Sequence, residues 1–257
     1  MYRWSLSRAV ALALWWFTFC TCGQHKTTDS LKVLRVRADQ GDATAQFKLG
    51  GIYYDGQGVP QDFKEAVKWY RLAAEQGESK AQYDLGVMYG KGEGVPQNSK
   101  EAYKWIRLAA EQGVSSAQFL LGLMYDKGGV VPQDYKEAVR LYRLAAQQRD
   151  SSAQASLGGM YENGQGVPQD FREAVKWYRL AAEQGESSAQ SKLGSMYENG
   201  LGVPQDYVQA HMWYNLAGVS GDAVTIKNRD LVAQKMTVPQ IAEAQRLARE
   251  WKRKMGR

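Results

Sequence analysis

The chain has 257 residues, 44% hydrophobic and 23% charged, which excludes wholesale disorder and supplies enough apolar surface for a sizeable core. Its 26 glycines come with only 6 prolines, which excludes a Pro/Gly-rich linker protein. The net charge of +6 sits at the two ends: Arg3 and Arg8 at the start, then six basic residues against Glu250 between Arg246 and Arg257. The chain between them is close to neutral, so there is no broad basic stripe and nucleic acid is not an expected partner.

Residues 1–23 read as a signal peptide. Arg3 and Arg8 give the positive start, Ala9 to Phe19 the apolar run, and Thr21 to Gly23 the small residues of a cleavage site. The run is too short to span a bilayer, which needs about 20 residues. A short buried helix or an uncleaved anchor is the alternative. The only cysteines, Cys20 and Cys22, lie at this junction. Phe19 and Thr21 precede them, where a lipoprotein signal takes Gly, Ala or Ser, so a lipoprotein is the lesser reading. Cleavage leaves an exported chain, periplasmic or secreted, that has no disulfides and depends on packing for stability.

Residues 29–40 read as a lone helix, half of a repeat, because Ala38-Asp-Gln-Gly41 matches Ala74-Glu-Gln-Gly77 one period on. This helix would cap the first full repeat. The dipeptide Ala-Gln then recurs at Ala45, Ala81, Ala117, Ala153 and Ala189, each step being 36 residues. Leu-Gly from Leu49, Tyr from Tyr53 and Val-Pro-Gln around Pro60 recur in the same register. Residues 45–80 and 153–188 agree at 29 of 36 positions. The units are 45–80, 81–116, 117–152, 153–188 and 189–224.

Each unit predicts two helices. Ala45, Leu49, Ile52 and Tyr53 lie along one helical face. Asp55 to Gln61 is a turn set by glycines and Pro60. Asp62 starts the second helix, and Glu65 three residues later makes an Asp form of the capping box, repeated at Asn98/Glu101, Asp134/Glu137, Asp170/Glu173 and Asp206/Gln209. Phe63, Ala66, Val67, Tyr70, Ala73 and Ala74 form the apolar face, and Gly77 is the expected left-handed cap. A helix pair of this kind cannot bury its faces alone, so neighbours must stack as a solenoid. Gly50 and its equivalents cost about 1 kcal/mol each inside a helix, and their recurrence predicts close backbone approach between helices. Past Asp222 the repeat ends. Residues 225–257 form C-terminal capping helices and the basic tail, the two helices being expected near 223–236 and 238–254.

These positions resemble the Sel1-like repeat, a relative of the tetratricopeptide repeat. Residues 45–77 match its pattern at Ala45, Leu49, Gly50, Tyr53, Gly56, Gly58, Val59, Asp62, Ala66, Trp69, Tyr70, Ala73, Ala74 and Gly77, and the likeness covers about 38–221. The resemblance implies an all-α, right-handed superhelical solenoid of helix-turn-helix repeats used as an interaction scaffold, commonly exported in bacteria. Two departures fall in the third unit: Val130 replaces a loop glycine and Arg149 replaces the capping glycine. A branch of the family with paired cysteines binds β-lactams, and these cysteines are missing here.

No catalytic, cofactor or metal site can be assembled. His211 stands in the apolar slot of Val67, His25 is beside the cleavage junction, and neither has a second His or Cys partner. The Gly-x-Gly turns come after no strand. The Trp-Tyr pairs at Trp69, Trp177 and Trp213 read as core and not as a carbohydrate platform. Binding positions are better sought where the units differ. The slot of Phe47 reads Phe47, Tyr83, Phe119, Ala155, Ser191; that of Lys48 reads Lys48, Asp84, Leu120, Ser156, Lys192; that of Tyr54 reads Tyr54, Gly90, Asp126, Glu162, Glu198. Tetratricopeptide-like folds line their concave groove with the first helices. On that likeness Phe47, Lys48, Tyr83, Asp84 and Phe119 are candidate partner-binding residues, with ordinary inter-repeat packing the alternative for the aromatics. The expected function is a non-enzymatic exported scaffold for a protein or peptide. A cell-envelope or peptidoglycan accessory is the alternative, and a hydrolase the third reading. Any membrane contact would come through the leader or the Lys252–Lys254 tail.

Overall fold

A computed structural model describes residues 31–255. The leader, Cys20, Cys22, His25 and the first two residues of the half-repeat lie outside them. Among the described residues every regular element is helical. Residues 31–39 are helical (α1). Next come α2 (Ala43–Asp55), α3 (Phe63–Glu75), α4 (Ser79–Lys91), α5 (Ser99–Glu111), α6 (Ser115–Lys127) and α7 (Tyr135–Gln147). The remaining helices are α8 (Ser151–Asn163), α9 (Phe171–Glu183), α10 (Ser187–Asn199), α11 (Tyr207–Ala217), α12 (Ala223–Ala233) and α13 (Val238–Met255). The chain forms two compact units that divide between Ala109 and Ala110, inside α5. Within each unit consecutive helices pack as pairs on a 36-residue period.

The caps explain why the helices begin where they do. Asp62 accepts hydrogen bonds from the backbone N–H groups of Lys64 and Glu65, and Asp134, Asp170 and Asp206 repeat this. The reciprocal half of the expected capping box is not made. The Asp62 N–H instead donates to the Tyr53 carbonyl at 2.9 Å, tying the second helix to the first. Glu65 is thereby released to pair with Lys68, as Glu137 pairs with Arg140 and Glu173 with Lys176. A Gln-based box does occur at α13, where the Thr237 N–H donates to Gln240 Oε1 at 2.8 Å.

The repeated glycine does a different job from the one its spacing predicts. A Cβ on Gly50 would lie 2.6 Å from Cδ1 of Tyr70, and Gly158 and Gly194 stand in the same relation to Tyr178 and Tyr214. At these three glycines what approaches the first helix is the tyrosine ring of its own partner helix, not the partner's backbone. In the second repeat Ile106 takes the ring's place, its side chain 2.8 Å and its backbone nitrogen 3.1 Å from the equivalent position on Gly86, so there the expected backbone approach is also made. Leu49, Leu85, Leu157 and Leu193 are fully buried beside these contacts.

The Ala-Gln dipeptide joins one repeat to the next. Gln46 is buried and donates to the Ala38 carbonyl at 3.0 Å, and Gln82 does the same to Ala74. In the second unit Gln154 and Gln190 bond Ala146 and Ala182, while Gln184 donates back to Gln154. A buried amide needs such partners, so the glutamine fixes the register of stacking. An arginine–tyrosine link adds to it: Arg143 on Tyr161 and Arg179 on Tyr197. The final helix closes the second unit, with Trp251 meeting Trp213 edge-on at 4.9 Å between centroids.

The third repeat carries strain. Arg149 has φ +66°, the one non-glycine residue with positive φ among the described residues, where Gly113 and Gly185 have +86° and +88°. A Cβ at either glycine meets nothing within 4 Å, so the cost at Arg149 is purely conformational. In the neighbouring turn the positive φ moves to Gly129 (+101°), leaving Val130 40% exposed. Arg149→Gly should raise stability by about 1 kcal/mol, read as a melting temperature a few degrees higher. A lower melting temperature would show that the arginine makes a contact worth more than its strain.

Candidate functional site

Constant side chains are consumed by packing, so chemistry is left to the variable slots on the first helices. In the first unit, Phe47 is half-buried with its ring 5.8 Å from that of Tyr70, and Lys48 is exposed one residue on. Tyr83 and Asp84 are half-buried on α4. In the second unit, Phe119 sits 5.8 Å from Tyr142 in the same tilted arrangement. Phe47 and Phe119 thus lean on the core tyrosines while keeping part of their surface open.

The most distinctive local chemistry surrounds Asp84. Tyr54 and Asp55 at the end of α2, Tyr70 of α3, and Asp84, Val87 and Met88 of α4 line a cavity of about 260 Å³. Burial, and after it the Asp55 charge, pushes the Asp84 carboxyl up to about 6. Burial also pushes the Tyr70 phenol up, and Asp84 and Asp55 add to that. At the rim, the Tyr54 hydroxyl donates to Glu93 at 3.1 Å, and Lys91 pairs with Glu93 at 3.6 Å. The sequence marks Asp84 as a candidate but not Tyr70 or Asp55. The slot comparison shows Tyr54 as variable without placing it beside Asp84.

The later repeats fill the same place differently. Glu162, in the slot of Tyr54, accepts from Tyr178 at 2.5 Å and from Lys192 at 3.0 Å, and Lys192 occupies the slot of Asp84. In the fifth repeat Glu198 accepts from Tyr214 at 3.1 Å and from Lys235 at 3.0 Å. These carboxylates are compensated, and Asp84 is not.

A second cavity, about 540 Å³, lies in the other unit among Arg179, Asp206, Trp213, Glu250 and Trp251. Trp213 Nε1 is buried without a partner, but so are the indole nitrogens of Trp69 and Trp177 in the same slot. The orphaned nitrogen thus recurs in three repeats and marks no special site, although the indole of Trp105 in the same slot donates to Glu101 at 3.1 Å. Trp69 and Trp213 are core, 3% exposed each. His211 is 4% exposed with Nδ1 unpaired, and burial lowers its pKa, so it is held neutral. Among the described residues no group of three or more His, Cys, Asp or Glu could hold a metal ion, and no helix is long and apolar enough to cross a membrane.

A carboxyl whose pKa is raised on folding contributes stability at low pH that is lost as pH rises through its folded value. Asp84 therefore favours the fold below about 3.8 and penalises it above about 6. Asp55 adds to this penalty, and the cation at the rim of the cavity, Lys91, is engaged by Glu93. Asp84→Asn should stabilise the chain at pH 7 by an amount on the order of 1–3 kcal/mol, and the gain should vanish near pH 4. Thermal unfolding at the two pH values checks this.

Comparison with known proteins places this geometry. Five consecutive segments, 43–78, 79–114, 115–150, 151–186 and 187–222, match the Sel1 repeat. The chain is similar to the solved Sel1 repeat protein from Oxalobacter formigenes, with 35% identity over 80% of this chain and 87% of that one, and a TM-score of 0.70. It is also similar to c5321, a protective antigen present in uropathogenic Escherichia coli strains that displays the SLR fold. There the identity is 33% over 86% of this chain, with a TM-score of 0.62, and the match spans 56% of that longer protein. No curated protein matches. With the repeat matched over most of its length and a solved relative above 30% identity, the chain belongs to the Sel1 repeat family.

Proposed function

We propose that the chain is an exported, non-catalytic scaffold that binds a protein or peptide through the variable slots of its first helices. Sel1 repeats generally mediate protein–protein interaction. The observation that carries the reading here is the division of labour along each first helix. Ala, Gln, Leu and Gly are buried in the joints, while Phe47, Lys48, Tyr83, Asp84 and Phe119 vary between repeats and keep open surface. Aromatic anchors beside charges suit peptide recognition. Export rests on the leader sequence, and the similarity to a protective antigen is in keeping with it. An envelope accessory is the second reading, supported by the exposed Lys252, Arg253 and Lys254 at the end of α13.

One experiment tests both halves. The mature protein is isolated from envelope fractions of its native host, weighed intact, and cross-linked to its neighbours. The expected mass lacks residues 1–23, and the expected cross-link is to a protein. Tyr83→Ala and Phe119→Ala should each weaken that capture by more than about 1 kcal/mol, roughly fivefold. Each should lose less stability than Leu85→Ala, whose fully buried side chain is worth about 2–5 kcal/mol. Retention of the leader overturns export. Aromatic variants that unfold as severely as Leu85→Ala overturn the binding face.

A further inference from the structure

The cleft around Asp84 differs from its counterpart in the fourth and fifth repeats by an inversion of charge. Three periods on, the slots of Tyr54, Tyr70 and Asp84 hold Glu162, Tyr178 and Lys192. There the phenol donates to the carboxylate and the lysine ammonium closes the site at 3.0 Å. In the first two repeats the lysine is gone, an aspartate stands in its place, and Asp55 adds a second carboxylate. Tyr70 is 4% exposed and lines the cavity, and its hydroxyl has none of the carboxylate bonding that Tyr178 and Tyr214 enjoy. The local lysine, Lys91, is held by Glu93 at the rim. The cleft therefore has a cavity, two acids and a buried tyrosine whose hydroxyl no carboxylate holds, arranged where the same fold elsewhere seats an ammonium.

We propose that this cleft receives the side chain of a lysine from the partner protein, its ammonium taking the place that Lys192 fills within the chain. Asp84 and Asp55 would hold the charge, and the Tyr70 hydroxyl would complete the hydrogen bonding. Val87 and Met88 form an apolar wall for the methylene stem, which long cationic side chains bury while keeping the charge on polar partners. A cation there relieves the uncompensated carboxylate that folding leaves behind. The proposal rests on the scaffold reading and names one contact that the partner must supply.

The probe is Nα-acetyl-lysine methylamide, with its Nε-acetylated form as the uncharged control, titrated against the full chain by amide NMR. Saturable shifts confined to residues around 54–55, 70 and 84–88 are expected with the charged probe and not with the control. Asp55→Asn with Asp84→Asn should weaken binding more than tenfold. Tyr54→Glu with Asp84→Lys rebuilds the filled arrangement of Glu162 and Lys192, so it should abolish binding while the circular dichroism stays helical. This second pair separates loss of the cleft from loss of the fold. Equal shifts with both probes, no saturable shift in the parent chain, or undiminished binding in the folded Tyr54→Glu, Asp84→Lys variant would each overturn the proposal. Failure of the probe alongside partner capture that still depends on Tyr83 removes the lysine contact and leaves the scaffold. Binding of the probe with no protein captured from the envelope does the reverse.

Discussion

The structure depends on one steric fit: an aromatic ring laid flat on a glycine. Tyr70, Tyr178 and Tyr214 press against Gly50, Gly158 and Gly194 at distances no Cβ could tolerate. Each glycine costs helix propensity, about 1 kcal/mol, and the cost is offset by bringing a large ring into full burial. The ring then sets the depth at which the two helices of a repeat meet. It also aims the phenol outward along the first helix, toward the variable slots. The packing solution and the position of the polar cleft are thus the same fact.

Joints between repeats are made by different groups and are just as restrictive. A buried glutamine amide has to find partners, and here it finds a carbonyl of the preceding helix and, in several repeats, a second glutamine. With ring and amide both committed, little in the constant positions is free for a ligand. What remains are the slots of Phe47, Lys48 and Tyr54, whose residues change from repeat to repeat. Glu162 and Glu198 show how the chain satisfies such a slot internally. Asp84 shows one left open.

Most of the architecture is legible in the sequence because repetition amplifies weak signals. A single Asp-x-x-Glu is ambiguous, but repeated in register it identifies a helix start. Repetition says less about mechanism. It points to a backbone contact at the glycine, since spacing cannot tell whether a ring or a chain approaches. It assigns the glutamate of each capping box to the backbone, yet a carbonyl from the preceding helix takes that N–H, a contact across a loop that local sequence cannot reveal. It marks Asp84 only as a charge beside aromatics. The partners of Asp84, Tyr70 and Asp55, come from two other helices, so the cleft emerges only on folding. A signal does exist in the slots themselves: positions 54 and 84 hold tyrosine and aspartate, and three periods on positions 162 and 192 hold glutamate and lysine.

Two adjacent glycines in α8 test the central fit most directly. A Cβ at Gly158 would lie 2.7 Å from the Tyr178 ring, whereas one at Gly159 would lie 3.6 Å from its hydroxyl, an ordinary contact. Both substitutions to alanine gain helix propensity, so only the ring distinguishes them. Thermal unfolding of the two variants should show Gly159→Ala neutral or more stable by up to about 1 kcal/mol, and Gly158→Ala less stable by about 1–3 kcal/mol. Equal effects at the two positions would contradict the ring-on-glycine fit.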